Sequence, residues 1–239
     1  MLSDLIKKLQ DVGLTPKVVI CDQGGCNRGL FKRLGISHMK TNKTYIEKDN
    51  SKIHFLWDYS HLIKSTRNML LKYKFKVNRG IVDFKYVQEV YEIEKYQLAK
   101  STKLTKKHVY PNSLDKMSVS LATQTLSSSV AGAISTHATF RYELDKDLTR
   151  FREAGSTSRC IKDFNDLFDI FDSNDEDKFS DVNDSLKKLL VYYLPLIQSI
   201  QILNPPEKKI KQTTSKKYKR KTRKKNTEIH SSMHEWVEI

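Results

Sequence analysis

Apolar residues recur at Leu2, Ile6, Leu9 and Val12 with polar residues between them, which is the spacing of one helical face. Gly13 ends that run where a glycine commonly closes a helix. After Pro16 the pattern changes to a short apolar run, Val18–Cys21, of strand length. Asp22-Gln-Gly-Gly follows as a turn, a short helix is predicted over 27–34 and stopped by Gly35, and 53–57 reads as a second strand. Helix, strand, helix, strand is the order of a parallel α/β unit. From residue 61 the period becomes helical: Leu62, Ile63, Thr66, Leu70 and Tyr73 share one face, while Lys64, Arg67, Lys72 and Lys74 decorate the others. Helices are expected over 84–96, 115–135, 164–171 and 186–203, the last broken or kinked at Pro195, and no strand is expected after residue 60. The fold class is therefore α/β plus all-α, with a partial α/β unit over 1–60, a helical region over 61–204, and a linker and tail over 205–239 in which 229–239 has the pattern of a short helix.

Charge separates the tail from the body. The 239 residues carry a net charge of +15, and the stretch 208–225 holds eleven Lys/Arg and no acid. Without that stretch the charge is only +4, so the excess is local. Lys208, Lys209, Lys216, Lys217, Lys219, Arg220, Lys221, Arg223, Lys224 and Lys225 make a self-repelling, disordered arm of the kind that binds nucleic acid or directs nuclear import. DNA is the partner this composition points to, and the nucleus the compartment. The N-terminus is amphipathic rather than a secretory apolar run, and no window approaches the roughly 20 apolar residues of a membrane helix, so a soluble, intracellular chain without a membrane partner is expected.

Two acids stand where chemistry is found in α/β proteins. Asp22 and Asp58 each end a short apolar strand and precede a helical pattern, and the carboxyl ends of strands in an open sheet are where ligands and metals bind. Asp22 suits one ligand of a two-metal phosphoryl-transfer site, which needs further converging carboxylates; the competing reading is an Asp that caps the next helix. Asp58 can cap the helix beginning at Tyr59, with the His61 imidazole one turn on, placed to orient an acid or touch nucleic acid. Gly24-Gly25-Cys-Asn-Arg-Gly29 is neither G-x-G-x-x-G nor a P-loop, and a tight strand-to-helix turn explains its glycines. Cys21 and Cys26 have no zinc-site spacing. The acidic run 172–177 lacks the Gly and Glu of a calcium loop and reads as solvated.

Five short motifs arrive in order: Cys21-Asp-Gln-Gly-x-x-Asn27; Asp58-x-x-His61-Leu-Ile-Lys-Ser-x-Arg-Asn68; Lys103-Leu-Thr-x-x-His108-Val-x-Pro; Lys116-Met-x-Val-x-Leu-Ala-x-Gln-x-Leu-Ser-x-Ser-Val130; and Phe168-Asp-x-x-x-Ser173. Together, over roughly residues 15–175, this series resembles the P-element transposase family, THAP9-like proteins included. The resemblance implies an RNase H-like catalytic domain interrupted by a helical GTP-binding insertion domain, with GTP a cofactor for DNA assembly that is not hydrolysed for energy. It implies that Asp22 is the second catalytic acid and a Mg2+ ligand, and that Asp58 and His61 form the D-x-x-H signature of the core. It further implies that Phe168 and Asp169 hold the guanine, while Lys116, Ser127 and Ser129 lie in the segment lining the nucleotide pocket.

The departures bound the expected activity. The family's zinc-binding THAP domain and the strand carrying its first catalytic Asp have no counterpart here. The third acid, a Glu, is expected after residue 205, yet Glu228, Glu235 and Glu238 lie in no matching context. Asp172 stands where the family pattern has Asn, replacing an amide with an acceptor-only carboxylate. One acid of three cannot hold two divalent ions productively. The expectation is a transposon-derived P-element-type segment that binds GTP and DNA but lacks cleavage and strand transfer. A full-length transposase or a second copy of the chain is its candidate partner. A DNA-binding regulator of a full-length transposase and a decayed, inert product remain the alternatives.

Overall fold

The computed structural model describes residues 2–36, 43–49, 51–78, 80–144, 153–172 and 192–203. The basic arm, the helix expected over 229–239 and the 186–191 part of the helix expected over 186–203 lie outside these residues, as does most of the acidic run.

The first third contains the predicted helix, strand, helix and strand, with one further strand, Tyr45–Lys48, that the periodicity did not predict. Helix α1 (Leu2–Asp11) leads to strand β1 (Val18–Cys21), helix α2 (Gly25–Arg33), strands β2 (Tyr45–Lys48) and β3 (Ser51–Trp57), and helix α3 (Tyr59–Leu70). The strand order is β1-β3-β2, with β1 parallel and β2 antiparallel to β3. Strand β3 alternates as a half-buried strand should: Ile53, Phe55 and Trp57 point into the core while Lys52 and His54 face out. Phe31 of α2 closes over that inner row, stacked 4.1 Å from Trp57 and edge-on 5.5 Å from Phe55. Strand β1 lies at the edge of the sheet, and its Val18 and Ile20 are exposed.

Beyond residue 60 the expectation of an all-helical region fails. Strands β4 (Lys74–Val77) and β5 (Gly80–Val82) form a hairpin, and β6 (Gln201–Leu203) returns to pair antiparallel with β4. These strands are three or four residues long, too short for periodicity to distinguish from helix ends or loops. They exist because they pair, and the partner of β4 lies far along the chain. Phe75 and Val77 face inward between Lys74 and Lys76. Gly80 has φ +128°, and a Cβ there would come 2.5 Å from Ser156 Oγ, so both backbone and packing require glycine at this corner.

The helices also differ in extent. After α4 (Lys85–Glu94) and α5 (Lys106–Val109), the helix expected over 115–135 is divided into a 3-10 turn (Asp115–Met117), α6 (Val119–Thr125) and α7 (Ser128–Leu144). Ser118 caps α6, its Oγ accepting from Leu121 N at 3.3 Å, and Ser127 precedes α7. The segment expected over 164–171 is the end of a longer α8 (Ala154–Asp172), whose first turns are small residues that permit close approach. There Thr157 Oγ1 accepts from Asp83 N at 3.0 Å and Ser158 Oγ donates to Ala131 O at 2.8 Å. Small polar residues are poor helix formers in isolation, and these close contacts to α7 and the loop before α4 stabilise the helix in their place. Pro195 sits in the first turn of α9 (Leu194–Ser199), where its absent N–H costs nothing, and 201–203 is strand rather than helix end.

The three thiols occupy unlike surroundings. Burial, reinforced by the Asp22 charge, pushes Cys21 up to about 11, and burial pushes Cys160 up to about 12, whereas Cys26 is exposed. Both raised groups stay protonated at pH 8 and are poor nucleophiles. Alkylation of the native chain at that pH, read by peptide mass, is expected at Cys26 first; equal labelling of Cys160 would contradict its burial.

Candidate nucleotide and strand-end site

Because β1 and β3 are parallel and adjacent, with Cys21 beside Trp57, their next residues, Asp22 and Asp58, emerge together at the carboxyl edge. The Asp58 N–H donates to Cys21 O at 2.9 Å. The Asp22 carboxylate accepts from Gly24 N at 2.9 Å and from Asn27 Nδ2 at 2.7 Å. It does not cap α2, whose N-cap position is Gly24; it closes an Asx-type turn ahead of the helix. These bonds hold its pKa below the ordinary carboxylate value, the Gly24 N–H first and the Asn27 amide next, with smaller help from the Lys64 charge and from His61 when its ring is protonated. As pH falls, Asp22 therefore keeps its charge below the range where a free Asp is protonated, and its contribution to the turn is lost only through that lowered pKa. A Cβ on Gly24 would lie 2.9 Å from Asp22 Oδ1, so glycine there leaves room for the acid.

Asp58 caps α3 and meets the His61 imidazole, as its place before Tyr59 predicts. Its Oδ1 accepts from Ser60 N at 2.8 Å, capping α3, and Oδ2 meets His61 Nδ1 at 2.7 Å. An ionised carboxylate only accepts, so the ring proton sits on Nδ1 and Nε2 is left as an acceptor in the neutral imidazole. Gln23 joins the same end through Ser65 Oγ, at 3.1 Å. Among the described residues no group of three or more His, Cys, Asp or Glu converges as a metal site. Among the described residues, Asp22 and Asp58 are the only acids at this strand edge that the contacts bring together, fewer than the carboxylates a pair of divalent ions needs.

The residues expected around the nucleotide lie on the 115–117 turn, at the start of α7 and at the end of α8. Lys116 is the middle residue of the 3-10 turn, and its carbonyl accepts from Arg67 Nη2 at 3.3 Å and Asn68 Nδ2 at 3.0 Å; Arg67 Nη2 also donates to Asp115 O at 3.1 Å. Ser127 Oγ donates to Gln124 O at 2.8 Å and lies 2.9 Å from Ser129 Oγ at the start of α7. Phe168 is half-buried and Asp169 exposed on the last turns of α8. Asn165, which the sequence reading did not single out, ties these together: its Oδ1 accepts from Ser128 N at 3.1 Å and its Nδ2 donates to Asp169 Oδ2 at 2.7 Å. Tyr59, also not singled out, lies 5.5 Å from the Phe168 ring and donates its hydroxyl to Asp172 Oδ1 at 2.9 Å. Their signal was present only as position: Tyr59 lies between the paired Asp58 and His61, and Asn165 one helical turn before Asp169.

His108 is structural. Its Nδ1 accepts from Thr105 N at 3.0 Å in a capping box, and Nε2 reaches Gln124 Oε1 at 2.8 Å, which fixes the proton on Nε2. Arg67, read from periodicity as a surface cation, is fully buried. A helix face assigned as polar can be covered by another segment, here the 115–117 turn.

The chain matches the family model for the TNP-like, GTP-binding insertion domain over residues 60–181. The Transposable element P transposase of Drosophila melanogaster is 31% identical over 173 residues, which is 72% of this chain and 22% of that protein. DNA transposase THAP9 of Homo sapiens is 28% identical over 179 residues, 70% of this chain and 18% of that protein. The solved Drosophila P element transposase strand transfer complex aligns with TM-score 0.69 at 28% identity, covering 86% of this chain and 47% of that one. The chain thus spans about a fifth of the length of the curated relatives it matches.

Proposed function

The chain belongs to the P-element transposase family through its TNP-like, GTP-binding insertion domain, and from that premise we propose that it is a guanine-nucleotide- and DNA-binding transposase segment that does not itself cut DNA. The observation that carries the nucleotide half is the convergence on Asp169: an exposed carboxylate held in place by Asn165, beside the half-buried Phe168 ring and joined through Asn165 to the start of α7. That donor set fits a guanine nucleotide. A carboxylate accepts from both the N1–H and the N2–H₂ of guanine, while adenine offers no such pair of donors there, and the Phe168 ring offers an apolar face to the base. Lys116, Ser127 and Ser129 are the residues proposed nearest the rest of the nucleotide, with Asp172 beside the base end. GTP, when bound, supplies an ordering ligand for DNA assembly and no hydrolytic step.

Titration of the full chain with labelled GTP tests this. Losing two charge-assisted hydrogen bonds at an exposed carboxylate costs roughly 3 kcal/mol, so Asp169→Ala is expected to weaken GTP by about 10²-fold. Equal affinity of the unaltered chain for ATP and GTP would remove the assignment of Asp169.

The parallel β1–β3 pair with Asp22, Asp58 and His61 at its carboxyl edge supports reading residues 1–60 as part of an RNase H-like core. Asp22 is then the position of one catalytic acid, and the Asp58–His61 pair orients the adjoining helix. Two-metal chemistry needs several acids that converge on hard cations, and among the described residues no group of three or more metal-ligating side chains forms around Asp22. No Mg2+- or Mn2+-dependent nicking of DNA above background is expected from this 239-residue chain; cleavage abolished by Asp22→Ala would overturn that reading. The eleven cations of 208–225 favour a role in binding DNA in the nucleus, as a regulator alongside a complete transposase.

A further inference from the structure

Helix α3 is gripped at both ends by the residues assigned above to the nucleotide. At its start, the Tyr59 ring meets Phe168 at 5.5 Å, tilted by 58°, and Phe171 at 6.2 Å, near-parallel at 26°; its hydroxyl donates to Asp172 Oδ1 at 2.9 Å. Near its end, Arg67 and Asn68 hold the Asp115 and Lys116 carbonyls. The two grips are about 13 Å apart along the axis at about 1.5 Å per residue. The same first turn carries the Asp58 cap and the Asp58–His61 bond, so Tyr59 stands between the two members of that pair.

We infer that Tyr59 is a positioning residue through which nucleotide occupancy beside Phe168 and Asp169 is transmitted to the Asp58–His61 turn. The inference rests on the nucleotide reading and extends it to a regulatory contact. Its chemistry is specific to residue 172. An amide at that position would bring its own N–H; a carboxylate brings only acceptors, and the Tyr59 hydroxyl supplies the donor that fixes it. Engagement of the tyrosine hydroxyl by Asp172 also raises the Tyr59 pKa, so the phenol remains a donor across the neutral range. A base that settles against Phe168 loads the last turn of α8, and the ring and hydroxyl contacts pass that load to the backbone amides that Asp58 caps. Coupling of this kind requires a physical contact that both ends share, and Tyr59 is that contact.

The test uses the full chain, a fluorescent GTP analogue, and hydrogen–deuterium exchange over residues 59–63 with and without GTP. In the unaltered chain GTP is expected to slow exchange in that turn. Tyr59→Phe, which keeps the ring, is expected to fold with an unchanged Tm, to bind about fivefold more weakly, and to lose most of the nucleotide-dependent protection. The Tyr59→Phe penalty is expected to vanish in an Asp172→Ala background, because the partner of the hydroxyl is already gone. Unchanged affinity together with full protection in Tyr59→Phe overturns the inference, as does a penalty that persists undiminished in Asp172→Ala. If the unaltered chain binds no GTP, the nucleotide reading itself fails and the inference falls with it; if it binds GTP but the turn shows no protection, only the inference fails.

Discussion

Affinity of this chain for duplex DNA is expected to fall by about 10³-fold between 50 and 200 mM salt, and deletion of 207–225 is expected to flatten that slope. The cause is charge density. Eleven cations lie in the 208–225 stretch with no acid among them, and neutralising about six phosphates releases enough condensed counterion to give a drop of that size. Tyr218 is the lone aromatic in the stretch, so base stacking adds little and sequence preference is expected to be absent. The check is a fluorescence anisotropy titration at several salt concentrations, with the intact and the deleted chain on the same duplex, alongside GTP binding, which the deletion is expected to leave unchanged. Full affinity and an unchanged slope after deletion would place the DNA surface on the body. Lys64 and Lys72 would then be the cations to alter, and Arg67 would not be among them, because it is buried and engaged with the 115–117 turn.

Arg67→Ala is expected to destabilise the fold by about 2–4 kcal/mol, through the cavity and the lost hydrogen bonds, a large share of the 5–15 kcal/mol that holds a typical domain together. The guanidinium is fully buried, donates to Asn68 Oδ1 at 2.9 Å, and holds the Asp115 and Lys116 carbonyls. Burial lowers its pKa and the Asp115 charge opposes that, but a guanidinium stays protonated throughout the working range. Truncation removes one donor from each carbonyl, leaving Asp115 O with Ser118 N and Lys116 O with Asn68 Nδ2, and creates a cavity beneath the turn that carries Lys116, so nucleotide binding is expected to fall with stability. Arg67→Lys is not expected to rescue, since one ammonium cannot reproduce the planar fork. Urea midpoints of the three chains decide it: a loss below about 1 kcal/mol in Arg67→Ala would mean that the contacts to Asp115 and Lys116 contribute little to stability.

Some helix starts and stops were legible from a local device: Gly13 and Gly35 take positive φ at helix ends and Asp58 caps α3. Ser118 and Ser127, which open α6 and α7, were not, because both lie inside the single helix expected over 115–135. Strand β3 was legible because its alternation runs over seven residues. Strands β4, β5 and β6 were not, because three or four residues carry no period and their stability comes from pairing with one another. The first half of α8 was not, because Ser156, Thr157 and Ser158 look like loop residues until their close packing is seen. The surface assignment of Arg67 failed for the same reason: periodicity names a face, and only tertiary structure says what covers it.

By itself the sequence determined the positions of Asp22 and Asp58 at strand ends, the local charge of the tail, and the ordered series of motifs that carries the family resemblance, because each is local or linear information. Tertiary structure decided how the motifs meet. Gln23 of the first bonds Ser65 of the second, Arg67 and Asn68 of the second hold Lys116 of the fourth, His108 of the third reaches Gln124 of the fourth, and Tyr59 within the second meets Phe168 of the fifth. No spacing along the chain encodes those contacts. They arise because the parallel strand pair fixes where α3 begins, and burial of the apolar face of α3 turns the remaining residues toward the segments that then close on it.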